Sequence, residues 1–101
     1  MIDNVDILGK PYRIELVKKK GSDYGECFVD QCNIEIASYQ CDMQKRDTLL
    51  HEILHAVDHE MGTDMSEPQV RRMATGMLAV LRHNPALVAF LTESDGQRDK
   101  Q

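Results

Sequence analysis

The chain has 101 residues, of which 42% are hydrophobic and 29% charged, and its formal net charge is −5 at pH 7. This length suits one domain with a single modest core, and no run approaches the roughly 18–20 apolar residues that a membrane span requires. The negative charge argues against binding to nucleic acid, because phosphate binding depends on clustered Lys and Arg, so we expect neither a nucleic-acid nor a membrane partner.

The N-terminus and the cysteines bear on the cellular compartment. Residues 1–20 lack the basic start and apolar stretch of a secretory signal. Cys27, Cys32 and Cys41 do not form the paired C-x-x-C of a zinc ribbon, so we expect reduced thiols, with a Cys27 to Cys32 bridge as the alternative. Together these features predict a cytoplasmic protein, and no pattern indicates its oligomeric state.

Strand patterns occupy the first part of the chain. Residues 11–19 alternate apolar with charged side chains, which is typical of a half-buried strand. Residues 26–38 predict two further short strands, one on each side of Asp30 and Gln31. We expect these strands to form an antiparallel sheet. The side chains predicted to face the core are Tyr12, Ile14, Leu16, Ile34 and Ile36.

Helical periodicity begins near position 44 and predicts three helices. The first ends at Gly62, a residue common just after a helix. The second begins after Ser66, which starts a Ser-x-x-Gln capping box, and has Pro68 in its first turn. The third begins at Pro85, with Asn84 as its cap. The predicted apolar faces comprise Leu49, Leu50, Ile53, Leu54, Val57 and Met61, then Val70, Met73, Ala74, Met77, Leu78 and Leu81, then Leu87, Val88, Phe90 and Leu91.

Strands followed by helices predict an α+β fold. We expect a small antiparallel sheet of about three strands, then a helix that carries the site, then two further helices. Residues 1–93 would form this single domain, and the polar residues 94–101 would form a C-terminal tail that frays.

The first helix contains the pattern H-E-x-x-H as His51, Glu52 and His55. Residues four apart lie on one face of a helix, so both imidazoles can bind one zinc ion. A carboxylate beside such an ion can act as a general base in hydrolysis, which predicts this role for Glu52. The pattern has a chance frequency of about 1% in a chain of this composition. The alternative interpretation is a polar helix face without a function.

A catalytic zinc ion needs a third protein ligand. His59 lies eight residues beyond His51, which on a straight helix is about 12 Å along the axis and too far to share an ion readily. Glu67 follows the helix end at Gly62 and can double back toward the two histidines. Glu67 is therefore the predicted third ligand, with Asp64 and His59 as alternatives.

The order H-E-I-L-H, then E-P-Q-V-R-R-M-A-T-G-M-L on the next helix, resembles the small zincins of the ImmA/IrrE-like group, which include short phage-encoded and mobile-element metallopeptidase domains. The resemblance covers about residues 30–91 and implies a minimal zincin fold. It also implies that His51, His55 and Glu67 bind zinc and that Glu52 is the catalytic acid/base. The gap between His55 and Glu67 is shorter than in many zincins.

The predicted function is that of a zinc-dependent metallopeptidase that acts on a protein or peptide. By the same resemblance, an extended substrate would add to the edge of the strand at residues 33–38. Tyr39, His59 and His83 are candidate stabilisers of the developing oxyanion. The alternative function is a non-catalytic domain that zinc stabilises, since metals often support small folds. No residue pattern indicates the substrate or the pathway.

Overall fold

The computed structural model describes residues 1–18 and 24–94. Four strands precede three α-helices, and a short 3₁₀ turn separates the last two strands. Their bounds are β1 Asn4–Ile7, β2 Lys10–Val17, β3 Gly25–Phe28, the 3₁₀ turn Val29–Gln31, β4 Asn33–Ala37, α1 Asp42–Met61, α2 Glu67–His83 and α3 Pro85–Thr92. The predicted α+β class is confirmed. Residues 95–101 of the predicted tail lie outside the described residues.

The sheet has four strands, so the predicted number of three is wrong. The additional strand, β1, pairs antiparallel with β2 through a two-residue turn formed by Leu8 and Gly9, whose φ angles are 51° and 88°. The Asp6 carboxylate accepts a hydrogen bond of 2.9 Å from the Gly9 amide. Two-residue hairpins of this left-handed kind usually contain Asn-Gly or Asp-Gly, and a leucine at such a φ is unusual. The hairpin therefore lacks its usual sequence signal.

The strand order is β1-β2-β4-β3, and the sheet is mixed. β2 and β4 pair in parallel, with Ile14 opposite Ile34, so the predicted all-antiparallel sheet is also wrong. β4 is the most deeply buried strand, because Ile34, Ile36 and Ala37 are all 0% exposed. Pairing on both sides places this strand inside the sheet, where both of its edges are occupied.

In this strand order, the free edge of the sheet near α1 is not the strand that was predicted. Residues 33–38 are not an edge, because β4 pairs with β2 on one side and with β3 on the other. The edge strand near the H-E-x-x-H helix is β3, which packs against α1. The expectation that a substrate would add to residues 33–38 is therefore corrected, and β3 is the strand in the right place for that role.

Helix α1 packs against the sheet through a narrow stripe of buried residues. Thr48, Glu52 and Ala56 are the buried residues of this helix. Predicted apolar residues beside the stripe, Leu49, Ile53 and Val57, are partly buried and pack against the core cluster of Ile7, Tyr12, Ile14, Ile34, Ile36 and Ala56. Two predicted core positions are instead exposed, Met61 by 62% and Leu16 by 49%. Thr48 and Ala56, the two small residues of the stripe, let the helix approach the sheet closely.

Helix α2 packs on α1, and only Val70 and Ala74 on it are buried. The predicted core residues Met73 and Met77 are exposed by 48% and 39%, because α2 has no second layer to cover this side. The predicted capping box at Ser66 is confirmed.

Helix α3 leaves much of its apolar surface exposed, with Phe90 at 62% and Leu91 at 63%. Asn84 does not cap it through its side chain, because its Nδ2 donates instead to the Val80 carbonyl of α2 at 2.8 Å. No single helix among the described residues is long and apolar enough to cross a membrane. Only the pair α2 and α3 meets that test of length and composition, and the two helices are bent by 98°.

Candidate metal centre

His51 and His55 lie one turn apart on α1 and face the same point. Their Nε2 atoms are 3.1 Å apart, and their ring centroids are separated by 4.9 Å. Two imidazoles on one tetrahedral zinc ion, each at about 2.0–2.1 Å, would place their nitrogens about 3.3 Å apart. The helix alone therefore sets two nitrogen atoms at nearly the spacing that a shared ion requires.

Glu67 supplies the third side chain. Its Oε1 lies 2.7 Å from the Nε2 of His51, and its Oε2 lies 2.9 Å from the Nε2 of His55. Each residue offers a ligand atom, and these atoms all lie within 4.8 Å of one another. Two imidazole nitrogens and one carboxylate oxygen are the donor set of catalytic zinc sites that keep a fourth position open. The donor atoms of this group therefore fit such an ion.

The end of α1 turns the chain back toward the histidines. Gly62 has a φ of 69°, the left-handed conformation that glycine adopts without a steric penalty, so the predicted helix end is confirmed. The carboxylate of Asp58 then accepts hydrogen bonds from the Thr63 hydroxyl and, at 3.1 Å, from the Met65 amide. These two donors, with the hydroxyl first, hold the pKa of Asp58 below its usual range. Asp58 thus organises the turn and is not one of the three clustered side chains.

The start of α2 completes this turn. The Ser66 amide donates to Gln69 Oε1 at 2.8 Å, and the Gln69 amide donates to Ser66 Oγ at 3.3 Å. Reciprocal bonds of this kind fix the first turn of a helix. Glu67 is the first residue of α2, so the capping box sets the position from which its carboxylate reaches the two imidazoles.

Glu52 is buried beside this cluster, with 6% exposure. It projects from the face of α1 that packs on β3, because a Cβ atom added to Gly25 would lie 3.5 Å from Glu52 Cγ. Glu52 also lines two clefts together with His51 and Glu67. Glu52 thus lines the same clefts as the clustered side chains but does not belong to the group that could hold an ion.

A hydrogen-bond network next to Glu52 joins α1 to the end of β4 and to Tyr24, the residue before β3. The Gln40 amide nitrogen donates to the carbonyls of Tyr24 and Ala37 at 2.9 and 3.0 Å. The Thr48 hydroxyl donates to Gln40 Oε1 at 2.8 Å. A Cβ atom on Gly25 would lie 2.7 Å from Thr48 Cγ2, which is too close. The site therefore depends on a glycine at the start of β3 and on a buried glutamine, neither of which the sequence patterns identified.

Two clefts open on either side of the cluster and share Gly25, His51, Glu52 and Glu67. The first, which we name the helix cleft, has a volume of about 490 Å³ and continues along α1 and α2 past Tyr24, Gln44, Asp47, Thr48 and Arg71. The second, named the strand cleft, has a volume of about 360 Å³ and follows β3 past Glu26, Cys27, Val29 and His55. A chain lying in both clefts would pass directly over the cluster.

Other predicted site residues lie elsewhere. His59 is exposed on the last turn of α1, and Asp64 is exposed in the turn that follows; neither belongs to the cluster. Tyr39 and His83 line neither the helix cleft nor the strand cleft. Tyr24, which stacks at a tilt against Tyr39, lines the helix cleft instead. Sequence patterns did not identify Tyr24, just before β3, or Arg71 on α2, because the lining of the cleft depends on contacts between elements.

The cysteines are free thiols, as predicted. Cys27 lines the strand cleft and is partly buried, whereas Cys41 is exposed at the start of α1. Burial, together with the nearby charge of Glu52, raises the pKa of Cys27 to about 11. Cys27 is therefore a neutral thiol near pH 7, and a neutral thiol is a poor metal ligand.

Comparison of the chain with protein-family models, with curated proteins and with solved structures finds no match. No family membership is therefore shown, and the resemblance to ImmA/IrrE-like zincins depends on the motif residues alone.

Proposed function

We propose that this chain is a zinc-dependent metallopeptidase of the ImmA/IrrE-like type and that Glu52 is its general base. One observation above all supports the proposal: His51, His55 and Glu67 converge from two helices, and a second carboxylate, that of the buried Glu52, lies beside them without joining the cluster. A site that only stabilised the fold would have no need for this additional carboxylate. Burial of a carboxylate is energetically unfavourable, and a role in proton transfer would explain why Glu52 is buried.

The metal ion and Glu52 have different roles in the proposed reaction. Zinc, when bound, supplies a Lewis acid that polarises a carbonyl group and lowers the pKa of water. Glu52 accepts a proton from the attacking water at its carboxylate and returns it to the nitrogen of the leaving amine. Gln40 links Thr48 of α1 to Tyr24, the residue before β3, and Glu52 is 6% exposed, so little water reaches its side chain.

The edge strand β3 supports a peptide as the substrate. β3 pairs with β4 on one side only and runs along the strand cleft beside the cluster. An extended peptide can add to such an edge through main-chain hydrogen bonds. A peptide bound in this way would carry its scissile carbonyl past Glu52. A cytoplasmic location, in which the three thiols stay reduced, belongs to the same proposal.

A peptide-cleavage assay with zinc-loaded protein tests the proposal. The unmodified chain is expected to cleave members of a broad peptide library, and Glu52→Gln is expected to lower the rate by about 10²–10⁴-fold while zinc remains bound. Glu60→Gln, two turns further along α1, is the control and should keep its activity. Cleavage that survives Glu52→Gln would contradict the assigned role.

The second candidate function is a non-catalytic domain stabilised by zinc. It is favoured by the small buried area of α2, on which only Val70 and Ala74 are buried, so that an ion held by α1 and Glu67 would strengthen a weak junction. The same assay separates the two functions. Zinc that raises the melting temperature without any cleavage by the unmodified chain would favour this second function.

A further inference from the structure

Arg71 gives the helix cleft a feature that the metal cluster does not explain. It is the only Lys or Arg among the described residues that line this cleft. It forms no ion pair or hydrogen bond with another described residue. An unpaired guanidinium beside a proposed catalytic centre is a ready binding group for an anion.

The position of Arg71 on α2 determines the distance between its guanidinium and the metal cluster. Arg71 is one turn beyond Glu67 on α2, so the Cβ atoms of the two residues are about 5–6 Å apart on the same face. A group held by Arg71 would therefore lie about 5–10 Å from the ligand cluster, which is one to three residues along an extended chain. This separation matches a neighbouring residue of a bound peptide better than the scissile carbonyl itself.

The charges in the cleft indicate which anion would be preferred. Three carboxylates line the cleft with Arg71, those of Asp47, Glu52 and Glu67, and the Asp47 carboxylate accepts a hydrogen bond of 3.0 Å from Thr75. These carboxylates repel a doubly charged phosphate group more strongly than they repel a singly charged carboxylate. A single carboxylate, in contrast, can pair with the planar guanidinium through two parallel hydrogen bonds.

We propose that Arg71 is a specificity-determining residue that binds a carboxylate of the substrate close to the scissile bond. The carboxylate would come from an acidic side chain or from the C-terminus of the peptide. This proposal rests on the proposed peptidase function for its biological meaning, but the interaction itself is a binding property. It can therefore be measured without cleavage.

The chain offers a matched control in the next residue. Arg72 is exposed on the same turn of α2 but lines neither the helix cleft nor the strand cleft. Removal of Arg72 changes the net charge of the protein by the same amount as removal of Arg71. Any difference between the two variants therefore reports the position of the guanidinium and not the total charge.

The experiment measures binding to zinc-loaded Glu52→Gln protein, in which cleavage is suppressed. The probes are a positional-scanning library of N-acetylated pentapeptides in matched pairs. One series compares Asp or Glu with Asn or Gln at each position, and the other compares a free C-terminal carboxyl with a carboxamide. Dissociation constants are measured by fluorescence anisotropy against a labelled member of the library.

We expect at least one series to favour the carboxylate by about tenfold or more. Adding Arg71→Ala should remove this preference, Arg71→Lys should retain only part of it, and Arg72→Ala should leave it unchanged. Preference in the first series assigns an acidic side chain, and preference in the second assigns the C-terminus.

Three results would overturn the proposal. They are equal affinity for carboxylate and amide peptides, a preference that survives Arg71→Ala, and no binding of any peptide. The failure of the proposed function gives a different result, namely carboxylate-dependent binding by the Glu52→Gln protein without cleavage by the unmodified chain. The two proposals can thus fail separately.

Discussion

At the scale of single residues, the position of Glu52 depends on how small its neighbours are. Glu52 is buried between Thr48 and Ala56 on α1, and Gly25 lies opposite on β3. A side chain at position 25 would meet both the helix and the backbone of the adjacent strand. The sheet and the helix are therefore in close contact one turn before the proposed general base.

Replacing Gly25 with alanine tests this close contact. Its Cβ would lie 2.7 Å from Thr48 Cγ2 and 2.8 Å from the Glu35 carbonyl oxygen, so β3 must move away from α1. We expect Gly25→Ala to lower the free energy of unfolding by about 1–3 kcal/mol, as overpacking does. Urea denaturation of the zinc-free protein measures this change.

Gly76→Ala is the control for this prediction. Gly76 lies on α2, and a Cβ atom there would meet nothing within 4 Å. Alanine also favours a helix, so Gly76→Ala should raise the free energy of unfolding by about 0.5–1 kcal/mol. Equal effects of the two substitutions would contradict the close packing at Gly25.

Sequence patterns identified the side chains that cluster, His51, His55 and Glu67, but not the residues that lie around them. The spacing of His51 and His55 is local, so a helical pattern is enough to place both side chains on one face. Gln40 and Arg71 act beside the motif only because the strands and helices fold together. Their roles depend on contacts between elements, which a single sequence does not reveal.

At the scale of elements, the turn between α1 and α2 decides whether the third ligand reaches the site. The Asp58 carboxylate stabilises this turn by accepting hydrogen bonds from the Thr63 hydroxyl and the Met65 amide. Glu67 follows directly after the turn. The effect of Asp58 on a metal ion would therefore be indirect, through the position of Glu67. Residues that orient metal ligands commonly change metal affinity by about 10–100-fold.

Asp58→Ala is expected to weaken zinc binding by about tenfold, because the turn loses two hydrogen bonds and Glu67 becomes less well positioned. Competition with a chromophoric chelator at pH 7 measures the affinity. Asp64→Ala is the control, since Asp64 is exposed in the same turn and forms no hydrogen bond with another described residue. A larger loss for Asp64→Ala than for Asp58→Ala would instead point to Asp64 as a ligand.

The helices could be predicted because their signals are local, whereas the sheet could not be predicted fully. Gly62 and Ser66 mark helix boundaries through bonds within a few residues. The parallel pairing of β2 with β4 joins segments about twenty residues apart, and alternation of side chains is the same in parallel and antiparallel strands. β1 was missed because Leu8 stands where a hairpin turn usually has Asn or Asp.

At the scale of the whole molecule, the core lies between the sheet and α1 and contains two acidic groups that resist ionisation. Burial raises the pKa of Tyr12 to about 12, and burial with the charge of Glu52 raises that of Cys27 to about 11. The unfolded chain would lose these protons at lower pH than the folded chain. The free energy of unfolding should therefore fall as the pH rises.

The raised pKa values of Cys27 and Tyr12 determine the direction and the pH range of this change in the free energy of unfolding. Below about pH 8 neither group ionises appreciably in either state, and stability is constant with respect to both. Between pH 9 and 11 the unfolded state has lost the Cys27 proton and the folded state has not, so stability declines with rising pH. Urea denaturation from pH 8 to 10.5, with EDTA present, should show this decline.

Cys27→Ala should make the decline shallower, because it removes the group that ionises first. Cys41→Ala is the control, since Cys41 is exposed and its loss should leave the slope unchanged. The account would be contradicted if Cys27→Ala and the unmodified chain had the same slope between pH 9 and 10.5.

The metal cluster joins the two halves of the molecule, the sheet with α1 and the outer helices, and a zinc titration tests it most directly. The unmodified chain is expected to bind one zinc ion, and Glu67→Gln should weaken the affinity by at least about 100-fold, because it removes a charged ligand. Asp64→Asn should leave the affinity unchanged. Failure to bind zinc, or an affinity that Glu67→Gln does not alter, would contradict a metal centre formed by His51, His55 and Glu67.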